Sequence, residues 1–82
     1  MAAENKNKPV GLIAGSGRVP FLVADGIRKA GRKLVIIGMK GLASERLVHM
    51  ADEFRWVGLT RLGSWLSILR QFNVHEAVMI GG

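Results

Sequence analysis

A glycine-rich turn near the amino terminus carries residue types that are suited to binding an anion. Gly15, Ser16 and Gly17 follow a short apolar run, and Arg18 comes next, two residues before Pro20. Glycine permits a tight turn and a close approach of the backbone to a ligand. The free N–H groups of a helix that begins here would favour a negative group. We therefore predict a site for a phosphate or a similar anion, with a plain strand-to-helix turn as the alternative.

The turn departs from the dinucleotide-binding fingerprint at two positions. Pro20 occupies the place of the third glycine, and the segment after the second apolar run, Gly38-Met39-Lys40, holds no acidic residue for a ribose. Lys40 could contact a 2′-phosphate, so a module that binds NADP or another nucleotide stays open as an alternative. A P-loop is excluded, because no Gly-Lys-Ser/Thr sequence follows at the required spacing.

Four short apolar runs alternate with segments of helical pattern. The runs read as buried parallel strands over residues 10–14, 33–38, 54–57 and 76–80. Helices are predicted to begin at Pro20, after a cap at Ser44, and near Thr60. The third helix has a wide apolar stripe, in which residues recur at spacings of three and four: Leu62, Trp65, Leu66, Leu69 and Phe72.

This alternation predicts an α/β fold, a Rossmann-like parallel sheet of strand order 3-2-1-4 with flanking helices. In that order the first and fourth strands are neighbours, and ligands of such sheets bind in the crevice at their carboxyl ends. The glycine turn would then form one side of this crevice, and the pair Gly81 and Gly82 would form the other side. The same pair has an equally good interpretation as a simple strand-ending turn.

The fourth strand would leave the sheet incomplete, with an apolar edge that favours pairing with another chain. Self-association through that edge is therefore expected, and a non-catalytic α/β interaction domain is a further alternative. We expect residues 1–9 to be a flexible lead-in, residues 10–82 to form one partial domain, and the whole to be part of a longer polypeptide.

Composition restricts the chemistry further. The chain has 82 residues, a formal charge of +6 and no cysteine, so disulfides, zinc–thiolate sites and thiol catalysis are excluded. The lysines and arginines are scattered without a dense run, which argues against nucleic acid and leaves weak attraction to an anionic membrane surface open. Neither His49 nor His75 has partners at metal-ligand spacing, Ser16 has no nearby base, and Asp52-Glu53 reads as a solvated loop.

Several segments, in order along nearly the whole chain from Val10, resemble the LpxI-type UDP-2,3-diacylglucosamine pyrophosphatases. Gly-Ser-Gly-Arg-x-Pro, with proline in place of the third glycine, is the most specific of them. The matching segments are Val10-Gly-Leu-Ile-Ala-Gly-Ser-Gly-Arg-Val-Pro20, Ala51-Asp-Glu, Trp56-Val-Gly-Leu, Arg61-Leu-Gly63 and Ala77-Val-Met-Ile-Gly-Gly82. The stretch Leu59-Thr60-Arg61-Leu62-Gly63 departs from the family's pattern, although Arg61 could still meet a phosphate.

The resemblance implies a cytoplasmic enzyme, peripheral at the inner membrane of a Gram-negative bacterium, in the lipid A branch of lipopolysaccharide synthesis. Such a hydrolase would convert the lipid-linked UDP-sugar UDP-2,3-diacylglucosamine to UMP and 2,3-diacylglucosamine 1-phosphate with a divalent metal, Mg²⁺. The catalytic residues and metal ligands would lie in a carboxy-terminal domain outside this chain, which would be inactive alone. The residues implied to contact substrate are Gly15, Ser16, Gly17, Arg18, Gly81 and Gly82.

Overall fold

The computed structural model describes residues 8–81, apart from the side chain of Leu62. Of the predicted lead-in, residues 1–7 lie outside this range, as does Gly82. The backbone carbonyl of Lys8 accepts a hydrogen bond from Arg32 Nη2 at 3.0 Å. Lys8 is thereby held to the residues that precede the second strand.

The predicted order of strands and helices is confirmed, with strand ends within one residue of the predicted bounds. The elements are β1 Val10–Ala14, α1 Val19–Lys29, β2 Leu34–Met39, a 3-10 helix Glu45–Met50, β3 Glu53–Val57, α2 Leu62–Gln71 and β4 Glu76–Ile80. The short helix has 3-10 geometry, and Ser44 caps it as predicted, its Oγ accepting from Arg46 N at 3.1 Å. Helix α2 begins slightly later than predicted, because a turn closed by Arg61 N and Gly58 O precedes it.

The four strands form one parallel sheet in the order β3-β2-β1-β4. This confirms the predicted α/β fold with flanking helices. Ala14 of β1 is in register with Gly38 of β2 on one side and with Ile80 of β4 on the other. The carboxyl ends of β1 and β4 are therefore adjacent, as the topology required.

Apolar side chains cover both faces of the sheet. On one face, α1 and the 3-10 helix pack over a cluster of buried residues: Leu12, Ala14, Ala24, Leu34, Ile36 and Leu47. On the other face, α2 packs through Leu69 over Ile13, Ile37 and Val57. Full burial of one such aliphatic side chain contributes about 1.5–3 kcal/mol, so this double core is what holds the loops at the strand ends in place.

The apolar stripe of α2 is narrower than predicted. Leu69 is buried, and Trp65 and Phe72 are half-buried, but Leu66 is 48% exposed. Leu66 lies at the margin of the stripe, beyond the side chains that meet the sheet; the side chain of Leu62 is outside the described part of the chain.

Strand β4 is the least covered strand of the sheet. Its residues Val78 and Met79 are 41% and 60% exposed, and it pairs with β1 along one side. Over residues 8–81, no helix has the length and apolar character needed to cross a membrane.

Candidate functional site

The glycine turn and the end of β4 meet directly. The amide of Gly15 donates to the carbonyl of Ile80 at 2.8 Å, which extends the β1–β4 ladder by one bond. Gly15 is buried. Gly81, which directly follows β4, is exposed, and a Cβ at this position would have no contact within 4 Å. The structure thus brings Gly15 and Gly81 together as the sequence predicted, and the predicted contact at Gly82 lies outside the described residues.

Four backbone N–H groups after Gly15 have no hydrogen-bond partner in the part of the chain that the structure describes. Within residues 8–81, the amides of Ser16, Gly17, Arg18 and Val19 donate no hydrogen bond. Gly17 is exposed and has a φ of 91°, a conformation that other residues adopt only with strain. These amides can therefore bind an anion, whereas that of Gly15 is already used in the sheet.

Helix α1 begins at this turn without a side-chain cap. Arg18 is its N-cap residue and makes no capping hydrogen bond through its side chain, while its carbonyl accepts from Phe21 at 3.0 Å. Pro20 lies in the first turn, where its missing N–H removes no bond. The first turn holds no acidic residue. The positive end of the helix dipole is therefore not neutralised by a carboxylate in the first turn of the helix.

Arg18 also lines a cleft that the sequence did not reveal. The cleft has a volume of about 380 Å³ and is bounded by Arg18, Phe21, Leu22 and Arg46; we call it the arginine cleft. Leu22 is 70% exposed beside it. The combination of two arginines with two apolar residues suits a ligand that is both anionic and apolar.

Arg46 is the residue that sequence reasoning missed. It lies on the 3-10 helix, and its amide is fixed by the Ser44 cap. Among the described residues, neither Arg18 nor Arg46 forms an ion pair. The only signal in the sequence was a positive charge two residues after a capping serine, which does not indicate a partner near Arg18.

The acidic pair at residues 52 and 53 has a structural role. Asp52 Oδ2 accepts from the amide of Leu34 at 2.7 Å, and the amide of Asp52 donates to the carbonyl of Leu34 at 2.8 Å. Glu53 is the first residue of β3 and lies 3.7 Å from Arg55 Nη1. Asp52 therefore anchors the start of β3 to the start of β2, at the amino-terminal ends of the strands, whereas the glycine turn lies at their carboxyl ends.

The histidines lie away from the crevice or on the surface. His75 Nε2 is 2.9 Å from Asn73 Oδ1 and 3.2 Å from Lys8 Nζ, just before β4 begins. His49 is exposed on the 3-10 helix. Over residues 8–81, no three His, Asp or Glu side chains converge closely enough to hold a metal ion. The described residues thus do not offer a donor set for a divalent metal.

Comparison with known proteins gives a family for the whole domain. Neither the curated proteins nor the solved structures yielded a match to this chain. The family model described as the LpxI N-terminal domain matches residues 9–82, which includes every strand and helix and both glycine segments. The chain therefore belongs to the LpxI family, through its N-terminal domain, and with that family to the bacterial pathway of lipid A biosynthesis.

Proposed function

We propose that this chain is the substrate-binding part of a UDP-2,3-diacylglucosamine pyrophosphatase. The enzyme would hydrolyse UDP-2,3-diacylglucosamine to UMP and 2,3-diacylglucosamine 1-phosphate, at the cytoplasmic face of the inner membrane. The observation that carries the proposal is the position of the arginine cleft beside the glycine turn, in a chain of the LpxI family.

The arginine cleft and the glycine turn together match the two parts of a lipid phosphate, its charged phosphate group and its apolar acyl chain. The free amides of Ser16 and Gly17, with the guanidinium groups of Arg18 and Arg46, would bind the phosphate oxygens. Exposed Leu22 and its neighbour Val19, which is 53% exposed, would contact the start of an acyl chain. Gly81 would form the opposite rim, where the absence of a side chain lets the sugar approach the sheet.

The chain would contribute binding and orientation to hydrolysis of the phosphoanhydride. Positioning and charge stabilisation supply much of the rate enhancement in phosphoryl chemistry, and preorganised amides and arginines serve both purposes. We assign the catalytic carboxylates and the divalent metal, Mg²⁺, to residues beyond this chain. We therefore expect the 82 residues alone to bind the lipid product without hydrolysing the substrate.

Matched arginine variants test this proposal. We would titrate detergent-solubilised 2,3-diacylglucosamine 1-phosphate into the chain by calorimetry and compare Arg18→Gln, Arg46→Gln and Arg28→Gln. Arg28 is an exposed control in the last turn of the same helix, so its loss changes net charge equally. We expect the first two variants to weaken binding about two- to fivefold each, as exposed ion pairs do, with no change for the control. Equal effects of all three substitutions would show that binding depends on the net charge of the chain alone, and this result would contradict the proposal.

A further inference from the structure

Two leucines are exposed near the carboxyl end of the sheet, on the side that α1 covers. Leu22, near the start of α1, is 70% exposed, and Leu42, in the loop after β2, is 46% exposed. The amides of Leu42 and Ala43 both donate to the carbonyl of Met39, at 3.1 and 2.9 Å. Ala43 packs against the buried cluster beneath α1. Leu42 is therefore exposed on a turn that is itself fixed to the core.

Trp56 adds an indole to the same side of the sheet. Phe54 packs against the cluster beneath α1, and the ring of Trp56 contacts it edge-on, with ring centroids 4.8 Å apart. Alternate residues of a strand point to the same face, so both rings lie on the α1 side. Trp56 is 38% exposed. A cleft of about 480 Å³ beside it is lined by Trp56, Lys40, Gly41, Ala43 and Glu45.

This cleft adjoins the arginine cleft. Glu45 lines the first and Arg46 the second, and the two residues are consecutive on the 3-10 helix. Leu42 borders the cleft of Trp56, because both of its neighbours in sequence line it. We call the combined surface the basic rim; it comprises Arg18, Leu22, Lys40, Leu42, Arg46 and Trp56.

The basic rim carries positive charge that its own carboxylates do not balance. Among residues 8–81, none of its three cations forms an ion pair, and Glu45 is the one acidic residue that lines either cleft. Elsewhere in the chain cations are paired, such as Lys29 with Asp25 at 2.9 Å. The rim therefore suits a partner with negative charge.

The mixture of side chains in the rim favours a lipid bilayer over a protein as that partner. Lysine and arginine attract anionic headgroups, leucine enters the boundary of the acyl chains, and tryptophan is typical of the headgroup level. The centre of a protein–protein interface is instead depleted in charged residues. In the rim, each cleft has at least one cation beside its apolar residues.

We propose that the basic rim binds the surface of an anionic phospholipid bilayer. Leu22 and Leu42 would enter the headgroup boundary, Trp56 would lie at the headgroup level, and the three cations would contact lipid phosphates. The inference deepens the proposed function and rests on it in one respect, because the rim contains the arginine cleft. A lipid that leaves the bilayer at the rim would enter that cleft directly. Lys40, Leu42 and Trp56 have no part in the proposed product site.

Co-sedimentation with lipid vesicles tests the inference without any substrate. The 82-residue chain would be mixed with vesicles of phosphatidylglycerol and phosphatidylcholine in equal parts or of phosphatidylcholine alone, and centrifuged without vesicles as the blank. We expect binding to the anionic vesicles that weakens as salt is added, and little binding to phosphatidylcholine.

Two matched pairs of variants locate the surface. Lys40→Gln should lower the partition coefficient about fivefold, whereas Lys33→Gln, at the opposite end of β2, should have little effect. Leu42→Gln should lower it about threefold or more. Leu66→Gln is its control, because Leu66 is 48% exposed but lies on α2, across the sheet. A chain that stays in the supernatant with anionic vesicles would overturn the inference in favour of a protein partner, and equal effects within both pairs would overturn it as well.

Fluorescence of Trp56 gives a second readout. Trp65→Phe leaves Trp56 as the single tryptophan, and phenylalanine loses no bond there, since Trp65 Nε1 has no partner among the described residues. Anionic vesicles should shift the emission of Trp56 to the blue, and brominated acyl chains should quench it. Absence of both effects would contradict the inference. Calorimetry with detergent-solubilised product is independent of vesicles and of Lys40 and Leu42, so either proposal can fail without the other.

Discussion

At the scale of single residues, Gly17 is the position where backbone conformation matters most to the site. Its φ of 91° is one that a residue with a Cβ adopts at a cost of about 1–2 kcal/mol. We expect Gly17→Ala to lower the free energy of unfolding by that amount, as measured by urea denaturation. Gly26 is the matched control, since it lies within α1 with open space around it. Gly26→Ala should stabilise the chain by about 0.5–1 kcal/mol. The same sign for both substitutions would contradict this account of the turn.

Gly38 is constrained by packing. A Cβ at this position would lie 2.5 Å from Phe54 Cζ and 3.0 Å from Trp56 Cζ3, so the two rings would have to move. Gly38→Ala should therefore destabilise the chain by about 1–3 kcal/mol, the usual cost of overpacking. It should also shift the indole signal of Trp56 in the NMR spectrum. An unchanged midpoint of thermal unfolding together with an unchanged indole signal would show that Phe54 and Trp56 do not pack here.

At the scale of elements, Asp52 illustrates how a polar side chain fixes a strand. Its carboxylate and its amide both bond to the backbone of Leu34, so β3 is held to β2 before their ladder begins. Asp52→Ala would leave the amide of Leu34 without its partner and should cost about 1–3 kcal/mol in urea denaturation. Asp52→Asn keeps an acceptor oxygen and should recover part of that loss. Equal stability of Asp52→Ala and the parent chain would show that water replaces the carboxylate without cost.

The elements themselves were predictable because their signals are local. Alternation of apolar runs with helical patterns, the cap at Ser44 and Pro20 in the first turn of α1 were sufficient for the order of the elements. The usual strand order of doubly wound parallel sheets then predicted the order of the sheet. The 3-10 geometry and the exposure of Leu66 were not predictable, because they depend on how far each helix extends over the sheet.

The candidate site was predictable only where neighbours in sequence form it. The glycine turn is one continuous segment, and the topology added Gly81 to it. Arg18 and Arg46, or Lys40 and Trp56, are brought together by tertiary packing, and no local pattern indicates such pairs. The burial of Trp56 was also not predictable, because alternation along a strand does not say which face of the strand is covered.

At the scale of the whole molecule, the exposed side of β4 is the surface most suited to self-association. Val78 and Met79 are exposed, and the strand has a paired neighbour in β1 alone among the described residues. We expect the chain to associate with increasing concentration in sedimentation experiments, since an uncovered apolar edge pairs readily. Val78→Lys should shift the equilibrium toward monomer, because a charge on such an edge opposes pairing. A parent chain that stays monomeric at all concentrations would contradict this expectation.

The glycine turn and the arginine cleft are proposed to bind the phosphate of the lipid, and amide NMR measures this binding directly. Detergent-solubilised 2,3-diacylglucosamine 1-phosphate and NADPH would be added separately to the labelled chain, with detergent alone as the blank. The lipid phosphate should shift the amides of Ser16, Gly17, Arg18 and Gly81, and NADPH should not shift them. Shifts of these amides by NADPH alone would contradict the proposal in favour of a dinucleotide module, and no shift with the lipid would contradict it outright.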